Sequence, residues 1–191
     1  LHAGGPYTDA KVKFTARLVA RPFSPDTPVA AGFTFGDFDT ALPNAKTIAE
    51  TTSQLDDAGH AHTAVALPVK SDVIYGDVKV EAAVESSRGT WVANDASVAY
   101  AARDRFVGLR IKDWMQTAGK AFKVEYLVVD PAGQPAAGSA VELQLQRQTI
   151  TRVRVKNGAG DFTPEEHVKW LTEDRCTAVS TNAPASCALT P

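Results

Sequence analysis

Long apolar runs are missing from this 191-residue sequence. None approaches the ~18 consecutive apolar residues of a membrane-spanning helix, so no membrane span is expected within the chain. An excess of either charge is missing as well. Twenty basic and 22 acidic residues are interspersed and leave a formal charge of −2, which offers nucleic acid no electrostatic footprint. Cysteine is scarce, with only Cys176 and Cys187, too few for a tetrahedral thiolate site of structural zinc. No Gly-x-Ser-x-Gly elbow, phosphate-binding loop or dinucleotide fingerprint occurs, so neither an enzyme nor a cofactor is expected. The chain starts at Leu1 without an initiator methionine or an apolar leader. We read it as a mature or excised piece whose Leu1–Pro6 is a linker or a remnant of cloning.

What is present is alternation. Hydrophobic residues make up 44% of the chain, enough for real cores, and the length favours two domains over one. Val and Thr at period-two spacing, with 11 prolines and 13 glycines between them, describe many strands joined by tight turns, an all-β composition. Val12, Phe14, Ala16 and Leu18 alternate with Lys13, Thr15 and Arg17 in a half-buried first strand. Pro22 to Pro28 breaks it, and Ala31–Phe38 follows as a second strand. Lys46–Gln54 suits a helix or an edge strand and is read as a strand. After the Leu55–Gly59 turn come the extended segment Ala61–Pro68 and a hairpin of Asp77–Glu85 with Trp91–Ala101. The charged stretch Ala102–Arg105 interrupts the alternation and marks a boundary, with domains expected over 1–102 and 103–191. A linker this short predicts restricted relative motion.

The second half is written more clearly. Phe122, Val124, Tyr126 and Val128 alternate with Lys123, Glu125 and Leu127, so a period of two sends one set inward and the other outward. Asp130-Pro-Ala-Gly133 then supplies a fixed φ at proline and tolerance of positive φ at glycine. Pro135 and Gly138 shape the return to Val141, Leu143 and Leu145. Thr149–Lys156 presents Arg152, Arg154 and Lys156 along a basic outer edge, which discourages pairing with another strand. Asn157–Gly160 turns the chain into His167–Ala178, where Trp170 and Cys176 share parity.

The run Val128-Val-Asp-Pro-Ala-Gly-Gln-Pro-Ala-Ala-Gly138, preceded by Val107-Gly-Leu-Arg-Ile-Lys112 and followed by Trp170 ahead of a close cysteine pair, resembles the macroglobulin-like domains of the bacterial alpha-2-macroglobulin family. In the first half the resemblance rests on Arg21-Pro-Phe-Ser-Pro25, Phe33-Thr-Phe-Gly36 and the Leu55–Gly59 turn. It implies two tandem immunoglobulin-like or macroglobulin-like antiparallel β-sandwiches. It also implies a structural, non-enzymatic role within an endopeptidase inhibitor that traps proteases after bait cleavage. The implied partners are neighbouring domains of the same polypeptide and, through the full-length parent, target proteases; the implied setting is periplasmic or extracellular. The family would add a strand after the second cysteine, so the second domain is expected either to be truncated at its C-terminus or to be completed by another segment. The thioester motif Cys-Gly-Glu-Gln is absent, since Cys176 precedes Thr-Ala-Val and Cys187 precedes Ala-Leu-Thr. The alternative function is an immunoglobulin-like adhesive or carbohydrate-binding module of a surface protein.

The side chains that invite chemistry are few. The turn-like interval between Cys176 and Cys187 favours a disulfide, with two reduced thiols as the alternative. His60 and His62, beside Asp56 and Asp57, resemble a metal site but lack a third ligand, and a polar turn is the plainer account; no metal site is expected. Asp113, Glu165-Glu166-His167 and Glu173-Asp174 fall in no motif that holds an acid and a base in register. Among the tryptophans, Trp170 is expected in the core against the disulfide. Trp114 is the candidate interdomain or ligand contact. Asp130, Gly133, Pro135 and Gly138 are expected to act through backbone geometry alone.

Overall fold

The computed structural model describes residues 7–36, 40–156, 158 and 161–191. Among them every regular element except a single 3-10 turn at Pro28–Ala30 is a β-strand, and every pairing is antiparallel. The all-β expectation from composition is met. The end of the expected Ala31–Phe38 strand, most of the Asn157–Gly160 turn and Leu1–Pro6 lie outside the described residues. The chain divides into two compact units, one of Leu1–Ser24 with Gly36–Asp104 and one of Pro25–Phe35 with Arg105–Pro191.

The first unit is built on a four-stranded sheet in the order β3-β1-β4-β5, from β1 (Lys11–Ala20), β3 (Lys46–Gln54), β4 (Tyr75–Glu85) and β5 (Trp91–Ala101). Lys46–Gln54 is thus a strand, and it takes the edge beside β1. Leu18, Val73, Val78 and Tyr100 form a buried cluster, with Ile48 and Val80 packed against it. The β4–β5 hairpin closes at Ser86–Thr90, where Gly89 takes a φ of 74° and the Ser86 amide donates to the Thr90 carbonyl. Ala61–Pro68 joins no ladder. It is held locally instead, as in the hydroxyl contact between Thr51 and Thr63 at 3.0 Å.

The second unit is a sandwich. One sheet runs β10-β7-β6-β2, from β2 (Thr34–Phe35), β6 (Phe106–Arg110), β7 (Phe122–Val129) and β10 (Ala185–Leu189). Facing it is the hairpin of β8 (Ala140–Lys156) and β9 (Phe162–Val179). Val124, Tyr126 and Val128 of β7 meet Val141 and Leu143 of β8 and Cys187 and Leu189 of β10 in one buried cluster, with Cys176 and Ala178 of β9 against it. The set Val124, Tyr126 and Val128 turns inward, but the other set does not stay outside: Leu127 is 1% exposed, and Val129 is fully buried. The C-terminal half of β7 is therefore covered on both faces, which period-two patterning of a single strand does not report. The remnant of the Ala31–Phe38 strand, β2, pairs with β6 through Thr34–Leu109 and Phe35–Gly108.

Candidate functional site

Three stretches that are far apart in sequence meet in the second unit. The first is the turn after β7. The Asp130 carboxylate accepts from the Ala132 and Gln134 amides, both at 2.9 Å, and the Asp130 amide donates to the Gln134 carbonyl, while Val129 bridges Pro135. Gly133 and Gly138 take φ values of 78° and 83°, a region that costs any residue with a Cβ about 1–2 kcal/mol. Buried Ser180 closes the return, donating to the Ala136 carbonyl at 2.6 Å and accepting from the Ser139 amide at 2.9 Å. The turn is a rigid shelf.

Pro25–Phe35 lies on that shelf. Thr27 Oγ1 donates to the Gly133 carbonyl at 3.1 Å, and a Cβ on Gly133 would stand 2.6 Å from Pro25 Cβ. Gly133 is thus required twice, for its dihedral and for the close approach. The third stretch, Val107–Lys112, grips the far end of the segment. Gly108 leaves room for the Phe35 ring, which a Cβ would meet at 2.6 Å. Arg110 places its guanidinium 4.3 Å from the centre of the Phe33 ring and donates through Nη1 to the Ala31 carbonyl at 3.0 Å. Its Nε pairs with Glu125 Oε2 at 2.6 Å. That hydrogen bond, helped by the positive charge of Arg110 and Lys112, holds the Glu125 carboxyl below the usual glutamate range against the opposing effect of partial desolvation.

The residues just before the segment are fastened within the first unit. Arg21 Nε donates to Asp77 at 3.1 Å and Nη2 to the Tyr75 hydroxyl at 3.2 Å. Its guanidinium stacks 4.6 Å from the Tyr75 ring centre, and Phe23 meets the same ring edge-on at 4.8 Å. Arg21-Pro-Phe-Ser-Pro25, Val107–Lys112 and Val128–Gly138 were legible only as separate stretches. The structure gives the latter two a common task, to receive a segment that reads in sequence as part of the first half.

Cys176 on β9 and Cys187 on β10 form the favoured disulfide, with Cα atoms 6.1 Å apart, and it joins the two sheets of the second unit. Trp170 is not packed against it. The β8–β9 ladder pairs Leu145 with Asp174 but Gln146 with Thr172, so β9 spends one extra residue, Glu173, and every side chain N-terminal to it changes face. Cys176 opposes buried Leu143, whereas Trp170 opposes exposed Gln148 and is itself 57% exposed. Equal parity implies a common face only along an unbroken strand. Trp114 is 90% exposed.

The remaining polar groups hold one another. Asp56 accepts from the His60 and Ala58 amides at 2.8 and 2.9 Å. The His60 amide bond is the main cause that sets its carboxyl below the usual aspartate range. The rings of His60 and His62 stand 6.4 Å apart, and among the described residues no three His, Cys, Asp or Glu side chains come together as a metal site would require. Glu166 pairs with Arg152 at 2.6 Å and Glu173 with Arg147 at 2.7 Å. A shallow hollow over Thr15, Arg17, Lys79, Glu81 and Asp95 carries both signs of charge. These arrangements position backbone and strands; none aligns a nucleophile with a base.

No family model matches the chain. Over 164 residues it is 31% identical to the alpha-2-macroglobulin homolog of Nostoc sp., a match that takes in 83% of this chain and 8% of that protein. Its fold is similar to that of Salmonella alpha-2-macroglobulin, both in the Y1175G mutant (TM-score 0.61, 16% identity) and in the form reacted with methylamine (TM-score 0.60, 15% identity). It is also similar to the native conformation of Escherichia coli alpha-2-macroglobulin (TM-score 0.56, 18% identity). In each of these three, 98% of this chain aligns with 13% of the other, so the chain spans a small part of the proteins it matches. With antiparallel macroglobulin-like β-structure, the disulfide and this shared sequence together, the chain belongs to the alpha-2-macroglobulin family as a segment of a larger member.

Proposed function

We propose that the chain is a structural segment of the frame of an alpha-2-macroglobulin-like endopeptidase inhibitor that traps a protease after its bait is cleaved, and that it carries no catalysis of its own. The observation that carries this reading is the docked segment Pro25–Phe35. The chain leaves the first unit after Ser24, is held on the second by Gly108, Arg110 and Gly133, returns at Gly36 and crosses once more after Asp104. Three covalent passages suit a frame that must transmit bait cleavage as rigid-body motion rather than lose it in a free joint. In this reading residues 1–102 and 103–191 are two macroglobulin-like domains, the first lending Pro25–Phe35 to the second. Neighbouring domains of the polypeptide are the direct partners, and proteases are met only through the parent. The disulfide favours a periplasmic or extracellular setting.

Trypsin challenged with the full-length polypeptide tests this. Digestion of a large protein substrate should fall while hydrolysis of a small peptide substrate persists, and the 191-residue chain alone should do neither. Unimpeded digestion of the large substrate would sink the reading. A second reading, a carbohydrate-binding module, is favoured by Trp114 alone, since an indole this exposed can stack on a sugar ring. Reproducible glycan-array binding by the isolated chain, lost in Trp114→Ala, would favour it; a blank array argues for the frame.

A further inference from the structure

The β8–β9 ladder continues past the bulge at Glu173 as a two-stranded ribbon, and every residue from Gln146 to Lys156 on β8 and from Phe162 to Trp170 on β9 is exposed. Such a ribbon is marginal in water by itself. Its two faces differ. On the face that continues from the sandwich core lie Thr149 opposite Lys169, Thr151 opposite His167 and Val153 opposite Glu165. On the other, Ile150 stands opposite Val168, with Trp170 in the next pair, and the three are 48%, 50% and 57% exposed. The Arg152–Glu166 ion pair borders this strip. Arg154 and Lys156 lie beyond it, opposite Pro164 and Phe162 rather than carboxylates. An apolar centre containing tryptophan, with a polar and positively charged margin, has the anatomy of an interface.

We propose that this outer face, centred on Ile150, Val168 and Trp170, seats a neighbouring module of the same polypeptide that presents an apolar strip flanked by carboxylates. Two observations and the physics of tethering select that occupant. The chain spans 8% of its Nostoc relative, so on the frame reading, on which this proposal rests, many modules share one polypeptide. A tethered module meets the strip intramolecularly, at an effective concentration that lowers the affinity the strip itself must supply. The arginines and lysine of β8 oppose edge pairing with a second copy, whose matching strand would carry the same charges. The bulge at Glu173 aims the tryptophan away from the disulfide and toward this face, which is a common use of bulges.

Hydrogen exchange of the ribbon in the full-length polypeptide and in the 191-residue chain tests the proposal. Amides of 147–155 and 163–171 should exchange at least about tenfold more slowly in the full-length protein. Val168→Arg should return them to the rate of the isolated chain. Should Val168→Arg unfold the isolated chain, as read by circular dichroism, the double variant Arg154→Glu, Lys156→Glu tests the same docking through charge and should also abolish the slowing. Equal exchange in the two proteins overturns the proposal. So does a concentration-dependent dimer of the 191-residue chain that Val168→Arg dissolves, because the occupant is then a second copy. Failure to impede trypsin with the ribbon still protected would sink the frame reading and leave the docking; unprotected ribbon amides in a working inhibitor would sink the docking alone.

Discussion

The two halves of the β8–β9 hairpin share one continuous ladder and one style of sequence, yet their fates differ. At the root, Val141 and Leu143 are buried against β7 and β10. Past Leu145 the alternation runs on, with Ile150 on one face and Val153 and Val155 on the other, but it meets no facing sheet and stays exposed. The β6 edge offers a third case, a sheet margin covered by Pro25–Phe35 from more than seventy residues upstream. Alternation reports that a strand has an apolar side; whether anything lies against that side is decided elsewhere in the chain or in another part of the polypeptide.

Substitution at the root and at the tip should break the symmetry of the hairpin most sharply. Leu143→Ala removes buried side-chain volume and is expected to cost about 2–5 kcal/mol, against about 0.5 kcal/mol for Ile150→Ala on the bare ribbon of the isolated chain. Urea unfolding of both variants measures the contrast, and equal losses would mean that the tip is covered in solution. Replacing both cysteines by alanine should cost about 2–3 kcal/mol in the chain-entropy model. The effect should show as faster exchange at β10 and the root of β9, with the outer ribbon unchanged.

Gly133→Ala tests the covered edge. The new methyl must occupy a left-handed conformation and press on Pro25, an expected loss of about 1–3 kcal/mol. Limited proteolysis should then cut within 25–35 before the β-sheets open. Resistance of that segment equal to the unsubstituted chain would show that the shelf does not hold it.

The smallest expected effect is electrostatic. Because Glu125 has its folded-state carboxyl lowered by Arg110, its contribution is complete above the ordinary glutamate pKa and is lost as pH falls through the lowered value. Exchange at Phe33–Phe35 should rise over that acid window, increasingly so at low salt, and Glu125→Gln should flatten the profile. A profile unchanged by Glu125→Gln would assign the pH dependence to other groups.

Much of the fold was legible because it is governed locally. Period-two alternation located β1, β4, β5, β7 and β8, and the Pro and Gly positions located the turn after β7, since φ preferences act within a few residues. Lys46–Gln54 was open between helix and strand, and pairing with β1 decided it. β10 is not legible in the sequence, because Ala185–Leu189 is short and its first residues fall in the turn-like interval before Cys187. Of the dock, Gly133 was legible as a turn glycine, but the Pro25 contact that makes it doubly necessary was not. Gly108 and Arg110 stood within a recognisable stretch without any sign that Phe33 and Phe35 would meet them.

The amino-acid sequence by itself determined that this chain is all-β, roughly where most of its strands lie, how the Asp130 turn is shaped and which family it resembles. These follow from dihedral preferences and short-range hydrophobic periodicity. Only the tertiary structure decided that Pro25–Phe35 belongs with the second unit, that Leu127 is buried and that Trp170 faces away from Cys176. The reason is physical: burial depends on which distant segment supplies the covering surface, and one bulged residue reverses the face of every side chain N-terminal to it in β9, so local patterning is silent on both.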